Sequence, residues 1–215
     1  MTPPKAIAWD IDGTLIDSEP THLRALITVS AAHGVDLTTG PADRFLGVHM
    51  ADVWTLLRPQ YTGGLTYERW LAEIIACYGD DRATLAPMPG ALDTVAAFAA
   101  AGIPQACVSN SLREIVDANL AVLGIAPDLA FSLSFEDVPA GKPDPAPYRL
   151  AARRFGVDPA SVWAIEDSLT GARSALDAGL TLFLLGDHPG RPIPPGAIRI
   201  SSVSEVLTAF QKLAA

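Results

Sequence analysis

The chain has 215 residues, 49% of them hydrophobic and 18% charged, with 24 acidic against 15 basic side chains and a net charge of −9. A chain of this size and hydrophobicity folds as one domain, or as one domain with an inserted module, and needs no disulfide or metal staple to hold its core. Its acidity excludes a broad nucleic-acid-binding or anionic-membrane surface, but not a small anion held in a local basic pocket.

Lys5 to Asp10 is a short, continuous apolar run ended by a carboxylate, as expected of a strand buried on both faces of a parallel sheet. The run is too short for a signal peptide or a membrane span, so a cytoplasmic protein is expected. Cys77 and Cys107 lie in apolar runs and are expected to be buried, reduced thiols. Residues 18 to 85 contain no convincing strand. Pro20 to His33 reads as a helix with Leu23, Leu26 and Ile27 on one face and Gly34 beyond it. Met50 to Leu57 and Thr66 to Tyr78 also read as helices, the latter with Leu71, Ile74, Ile75 and Tyr78 as its apolar stripe. Trp54 and Trp70 are expected in the core of this helical segment, joined to the rest of the chain by linkers near Ser18 and over Leu85–Gly90.

From about residue 86 strands and helices alternate. Apolar runs at Ile103–Val108, Leu129–Leu133, Val162–Ile165 and Thr181–Leu185 predict strands. Between the first strands, Leu92, Val95, Ala96 and Phe98 form one helical face, stopped by Gly102. Ser111-Leu112-Arg113-Glu114 reads as a capping box, opening a helix with Ile115, Val116, Leu120 and Leu123 inward. Ala146 to Phe155 is another helix, Ser168 caps the next, and Ser202 to Glu205 opens the last. This alternation predicts a doubly wound α/β core with a parallel sheet, built from 1–17 and 86–215, and a smaller all-helical module over 18–85 inserted after the first strand.

Ligands of open α/β sheets bind beyond the carboxyl ends of the strands. Asp10-Ile11-Asp12-Gly13-Thr14, Ser109-Asn110, Gly141-Lys142-Pro143 and Glu166-Asp167-Ser168 all fall there. Several carboxylates, a hydroxyl, an amide and one lysine suit phosphoryl transfer around a divalent cation. Hard oxygen donors favour Mg²⁺, and one carboxylate can serve as nucleophile toward phosphorus. Competing motifs fail on spacing. An EF-hand loop starting at Asp10 needs Gly and Glu where Leu15 and Thr21 stand. A Walker loop ending in Gly141-Lys142 needs Gly where Glu136 stands, and Ser or Thr where Pro143 stands. Ser109 lies in no Gly-x-Ser-x-Gly, and no histidine follows it before His188.

These four segments, in this order and spacing, resemble the four motifs of the haloacid dehalogenase superfamily, nearest to its phosphoglycolate phosphatase-like and beta-phosphoglucomutase-like groups. The resemblance implies a Rossmann-like core with a helical cap over 18–85. It further implies Asp10 as nucleophile and Mg²⁺ ligand, and Asp12 as general acid and base with its carbonyl on the metal. Lys142 would neutralise charge, Asp167 and Glu166 would complete the metal site, and Gly13, Ser109 and Asn110 would bind phosphate. From the inserted segment, His22 and Arg44 are candidate substrate contacts. Mutases of this kind carry a basic residue after the glycine of the cap loop, whereas Gly47 is followed by Val48-His49-Met50-Ala51-Asp52. Asp12 speaks against halide displacement. The expectation is a Mg²⁺-dependent phosphatase of small phosphorylated metabolites, of sugar phosphate or phosphoglycolate type, acting through an aspartyl-phosphate, for which a monomer suffices. A sugar phosphomutase and a non-catalytic phosphometabolite-binding protein are the alternatives.

Overall fold

The computed structural model describes residues 2–41, 44, 45 and 48–214. The chain opens with β1 (Ala6–Trp9) and β2 (Ile16–Asp17), followed by the helices α1 (Glu19–Ala32), α2 (Met50–Leu57) and α3 (Tyr67–Asp80). Then come β3 (Ala86–Pro87), α4 (Ala91–Ala100), β4 (Gln105–Val108), α5 (Arg113–Leu123), β5 (Phe131–Leu133) and α6 (Ala146–Phe155). β6 (Val162–Glu166), α7 (Leu169–Asp177), β7 (Thr181–Leu185), β8 (Ile198–Ile200) and α8 (Ser204–Ala214) complete it. Packing divides the chain into two compact units, one of Met1–Asp17 with Ala86–Ala215, the other of Ser18–Leu85. Among the described residues no helix is long and apolar enough to cross a membrane.

The larger unit is a six-stranded sheet in the order β5-β4-β1-β6-β7-β8, every pair parallel. All four residues of β1 are fully buried, which is why its sequence is continuously apolar and does not alternate. The chain moves outward from β1 to β4 and β5, then returns to β1's other side as β6. The strand order therefore reverses at β1, and the carboxyl end of such a switch strand is where open α/β sheets bind their ligands. Trp9 packs against Phe98 and Trp163 against Phe183. The Trp9 indole donates to buried Gln105 at 2.9 Å, and Gln105 donates to the Val95 carbonyl at 2.9 Å, so this polar side chain is satisfied inside the core.

Two local expectations need correction. The buried face of α4 is Ala91, Thr94, Val95 and Phe98; Leu92 and Ala96 face solvent, a quarter-turn rotation that the nearly all-apolar helix concealed. Ser111 does not cap α5. Leu112 is the N-cap residue without a side-chain bond, and the Glu136 carboxylate accepts from the Arg113 N–H at 2.6 Å instead. β8 and the antiparallel ribbon β2–β3 were not foreseen; two- and three-residue strands are too short to show a period.

In the smaller unit α1 packs on α3. Trp70 and Tyr78 are fully buried, and Trp54 is half-buried, stacked on Tyr61 with ring centres 5.7 Å apart. The Tyr61 hydroxyl accepts from the Trp70 indole at 3.0 Å and pairs with Ser30 at 2.7 Å. Cys107 is buried and Cys77 only half-buried, both as free thiols. Gly47 lies outside the described residues.

Candidate active site

The site grows from the ends of three neighbouring strands. The Asp10 N–H donates to the Ile165 carbonyl at 2.9 Å, which carries the β1–β6 ladder one residue past β1. The Ser109 N–H does the same toward Leu133 at 3.0 Å. Asp10, Ser109 and the Glu166-Asp167 pair are thereby brought to one sheet edge. After Asp10 the chain turns sharply, with the Ile11 carbonyl accepting from the N–H groups of Thr14, Leu15 and Ile16. Gly13 sits in this turn with φ of +79°, and a Cβ there would run into the Asp167 carboxylate. Glycine is required on both counts.

Lys142 reaches this edge from the loop before α6. Its ammonium donates to Asp10 Oδ1 at 2.6 Å, Glu166 Oε1 at 2.6 Å and the Val108 carbonyl at 2.7 Å, and its side chain is 4% exposed. All three of its N–H bonds are thus committed. Asn110 holds the lysine's backbone with both ends of its amide. Its Oδ1 accepts from Lys142 N–H at 2.7 Å and its Nδ2 donates to the Lys142 carbonyl at 2.9 Å. Glu166, fully buried, accepts also from the Tyr148 hydroxyl on Oε1 and from Ser168 Oγ at 3.3 Å on Oε2. Asp12 accepts from Ser111 Oγ at 2.9 Å, Ser109 Oγ at 3.3 Å and Asn119 Nδ2 at 2.9 Å.

The electrostatics follow from burial and crowding. Burial disfavours charge on Asp10, and the neighbouring Glu166 reinforces the effect beyond what Lys142 offsets, so the Asp10 carboxyl is held well above its usual range. Burial also opposes the charge on Lys142, but Asp10 and Glu166 outweigh it and push its pKa up, so the ammonium stays charged. Asp10, Glu166 and Asp167 each present an oxygen, and the three lie within 4.8 Å of one another. One ammonium against this carboxylate cluster leaves an excess of negative charge on hard oxygen donors, a set that fits a divalent cation such as Mg²⁺.

Asp10, Asp12, Ser109, Asn110, Lys142, Glu166 and Asp167 therefore converge, together with Gly13. His22 and Arg44 belong to the other unit. His22 stacks on Tyr78 with ring centres 4.4 Å apart. Arg44 donates to the carbonyls of Thr39 at 2.9 Å and Leu37 at 2.6 Å, so its guanidinium ties down its own loop. Ser111, Asn119 and Tyr148 were not anticipated. A signal was present for Asn119, a polar residue inside the stripe Ile115, Val116, Leu120, Leu123.

Gly171, on α7, lies against Glu166, and a Cβ there would overlap the buried carboxylate. An Ala in a helix interior normally stabilises by about 0.5–1 kcal/mol over Gly. Here Gly171→Ala is expected to destabilise by about 1–3 kcal/mol through overpacking, with loss of activity as Glu166 is displaced. Chemical denaturation and an activity assay check it; a stabilised, active variant would contradict the packing described.

The model of the haloacid dehalogenase-like hydrolase family matches residues 4–179. Phosphoglycolate phosphatase of Thiobacillus denitrificans is 30% identical over 202 residues, covering 89% of this chain and 88% of that protein. Hexitol phosphatase B of Escherichia coli K12 is 32% identical over 173 residues, covering 77% of this chain and 76% of its own. Among solved structures, CbbY from Rhodobacter sphaeroides in complex with phosphate superposes with a TM-score of 0.84 at 28% identity, covering 94% of this chain and 96% of that one. With its four motifs gathered at one edge of a parallel sheet, the chain belongs to the haloacid dehalogenase-like hydrolases and is an enzyme of the phosphoric monoester hydrolase type.

Proposed function

We propose that the protein is a Mg²⁺-dependent phosphatase of small phosphorylated metabolites, sugar phosphates or phosphoglycolate, that works through an aspartyl-phosphate. In this scheme 1–17 and 86–215 form the catalytic core and 18–85 the cap that selects substrate, in a cytoplasmic monomer. The observation that carries it is the clustering of Asp10 with the Glu166-Asp167 carboxylates, the Lys142 ammonium bridging Asp10 and Glu166, and Ser109 hydrogen-bonded to Asp12. The Asp10 carboxylate attacks phosphorus and the ester P–O bond breaks. Asp12 gives its proton to the departing oxygen, then takes one from the water that attacks the phosphoryl-enzyme, releasing inorganic phosphate and freeing Asp10. Lys142, with its donors already committed, acts as a fixed positive charge and holds Asp10 in line. Ser109, whose hydroxyl donates to Asp12 without substrate, would redirect it to the phosphate. Asp10, the Asp12 carbonyl, Asp167 and Glu166 would hold Mg²⁺, which when bound polarises phosphoryl oxygens and screens the carboxylates from the incoming anion.

The sequence after Gly47, Val48-His49-Met50-Ala51-Asp52, carries no Arg or Lys for the second phosphate of a returning sugar bisphosphate, which favours a phosphatase over a mutase. The expected result is Mg²⁺-dependent phosphate release from p-nitrophenyl phosphate and from a panel of small monoesters, abolished by EDTA. With beta-glucose 1-phosphate and a trace of bisphosphate, free phosphate should accumulate without glucose 6-phosphate; the reverse outcome identifies a mutase. Asp12→Ala should lower kcat/KM by about 10²–10⁴-fold on alkyl phosphates and by less on p-nitrophenyl phosphate, whose leaving group needs no proton. Equal losses on both would remove Asp12 from proton transfer.

A further inference from the structure

Asn119 has no part in the scheme above, yet its surroundings lead to the scheme's proton donor. It occupies the inward stripe of α5, between Ile115 and Leu123, and is fully buried. A buried primary amide on an apolar face is unfavourable unless hydrogen-bonded, so its partner is informative. One such partner is Asp12, 107 residues away in sequence, whose Oδ1 accepts from Asn119 Nδ2 at 2.9 Å. Ser111 Oγ donates to the other oxygen, Oδ2, at 2.9 Å. The carboxylate is gripped from two sides, by Asn119 on Oδ1 and by Ser111 on Oδ2, where Ser109 Oγ adds a longer bond at 3.3 Å; this fixes both its direction and the rotation of its plane.

The segment that carries Ser111 and Asn119 is itself immobilised. Glu136 accepts from the Arg113 N–H at 2.6 Å, and the Arg113 side chain donates to Ser132 Oγ at 2.8 Å and pairs with Asp137. Because Glu136 takes the capping role, the Ser111 hydroxyl is left for Asp12. The stripe residues Ile115, Val116, Leu120 and Leu123 anchor the rest of α5.

We infer that Asn119, assisted by Ser111, is a positioning residue for Asp12, and that α5 is the bracket that aims the proton-transferring carboxyl. The inference rests on Asp12 being the general acid and base. An Asp side chain with nothing to hold it samples several rotamers, and only one directs an oxygen at the leaving group. Proton transfer and near-attack geometry fall off steeply with misplacement. Neither Asn119 nor Ser111 needs to touch substrate for this role.

The test compares kcat/KM on an alkyl phosphate, glucose 6-phosphate, with that on p-nitrophenyl phosphate, in Mg²⁺. Asn119→Leu keeps the approximate shape and deletes the donor. It should lose about 10- to 100-fold on the alkyl phosphate and clearly less on p-nitrophenyl phosphate, with KM nearly constant. Added to Asp12→Ala it should cost nothing more, because the group it positions is gone. Ser111→Ala should show the same pattern at smaller size; it removes one oxygen at a half-buried site, and it decides the matter should Asn119→Leu fail to fold. Equal losses on both substrates, a loss that adds to Asp12→Ala, or no loss on glucose 6-phosphate would overturn the inference. If Asp12→Ala itself leaves the alkyl phosphate rate unchanged, the general-acid assignment is what has failed. If Asp12→Ala is impaired while Asn119→Leu is not, only the positioning role falls.

Discussion

Asp10→Asn is expected to abolish turnover, by on the order of 10⁴–10⁶-fold, while leaving the protein as stable as before or more so. The amide has the carboxylate's shape, so the contact with Lys142 survives through its carbonyl oxygen. It is a poor nucleophile and a poorer ligand for a hard cation, so both proposed roles of Asp10 vanish together. Stability moves the other way because of the local charge balance. Burial and Glu166 both disfavour the Asp10 charge, and removing it leaves the ammonium paired with Glu166 and one carboxylate fewer in the cluster. Sites built for chemistry commonly hold such unfavourable charges. Thermal unfolding together with phosphate release checks both halves. Near wild-type turnover would rule out a covalent aspartyl intermediate, and marked destabilisation would show that the Asp10 charge is structural.

The legibility of the molecule in its sequence divides along physical lines. The parallel sheet was legible because strands buried on both faces are largely apolar, as Ala6–Trp9 and Leu182–Leu185 are. The site was legible because an open α/β sheet delivers its strand ends to one edge, so Asp10, Ser109 and Glu166 could be brought together from topology alone. What escaped were side-chain partnerships across long sequence separations. Ser111 opens a segment that satisfies the capping-box pattern, and only the folded chain shows that Glu136 takes the cap while Ser111 turns to Asp12. Arg44 looks in sequence like a free anion contact, whereas in the folded chain two of its N–H groups donate to the carbonyls of Leu37 and Thr39. Asn110 has the right address for a phosphate ligand and uses its side chain on the Lys142 backbone. The rotation of α4 was illegible because a helix with few polar residues has no marked outer face.

Lys142→Met is expected to fail in both activity and stability, and the two failures should separate. The side chain is almost wholly enclosed and its ammonium is shared by Asp10 and Glu166. A thioether of similar length fills the space but leaves two buried carboxylates facing each other without a cation. Removing one partner of a buried ionic cluster costs about 3–5 kcal/mol, because the desolvated charge that remains has lost its compensation. The measurement is chemical denaturation in EDTA. Adding Glu166→Gln to Lys142→Met removes one of the stranded charges and should recover much of that stability, since the Tyr148 hydroxyl still has an oxygen to donate to. Activity should not return, because the fixed positive charge beside Asp10 is still missing. Mg²⁺ supplies a further discriminator. A cation bound by the native carboxylates stabilises the fold according to its occupancy, and it relieves more repulsion where the ammonium is absent. Lys142→Met should therefore gain more from Mg²⁺ than the wild type does. An equal gain in both would mean that the lysine and the cation do not share the carboxylates, and full stability of Lys142→Met in EDTA would mean that Asp10 and Glu166 are not charged together in the folded protein.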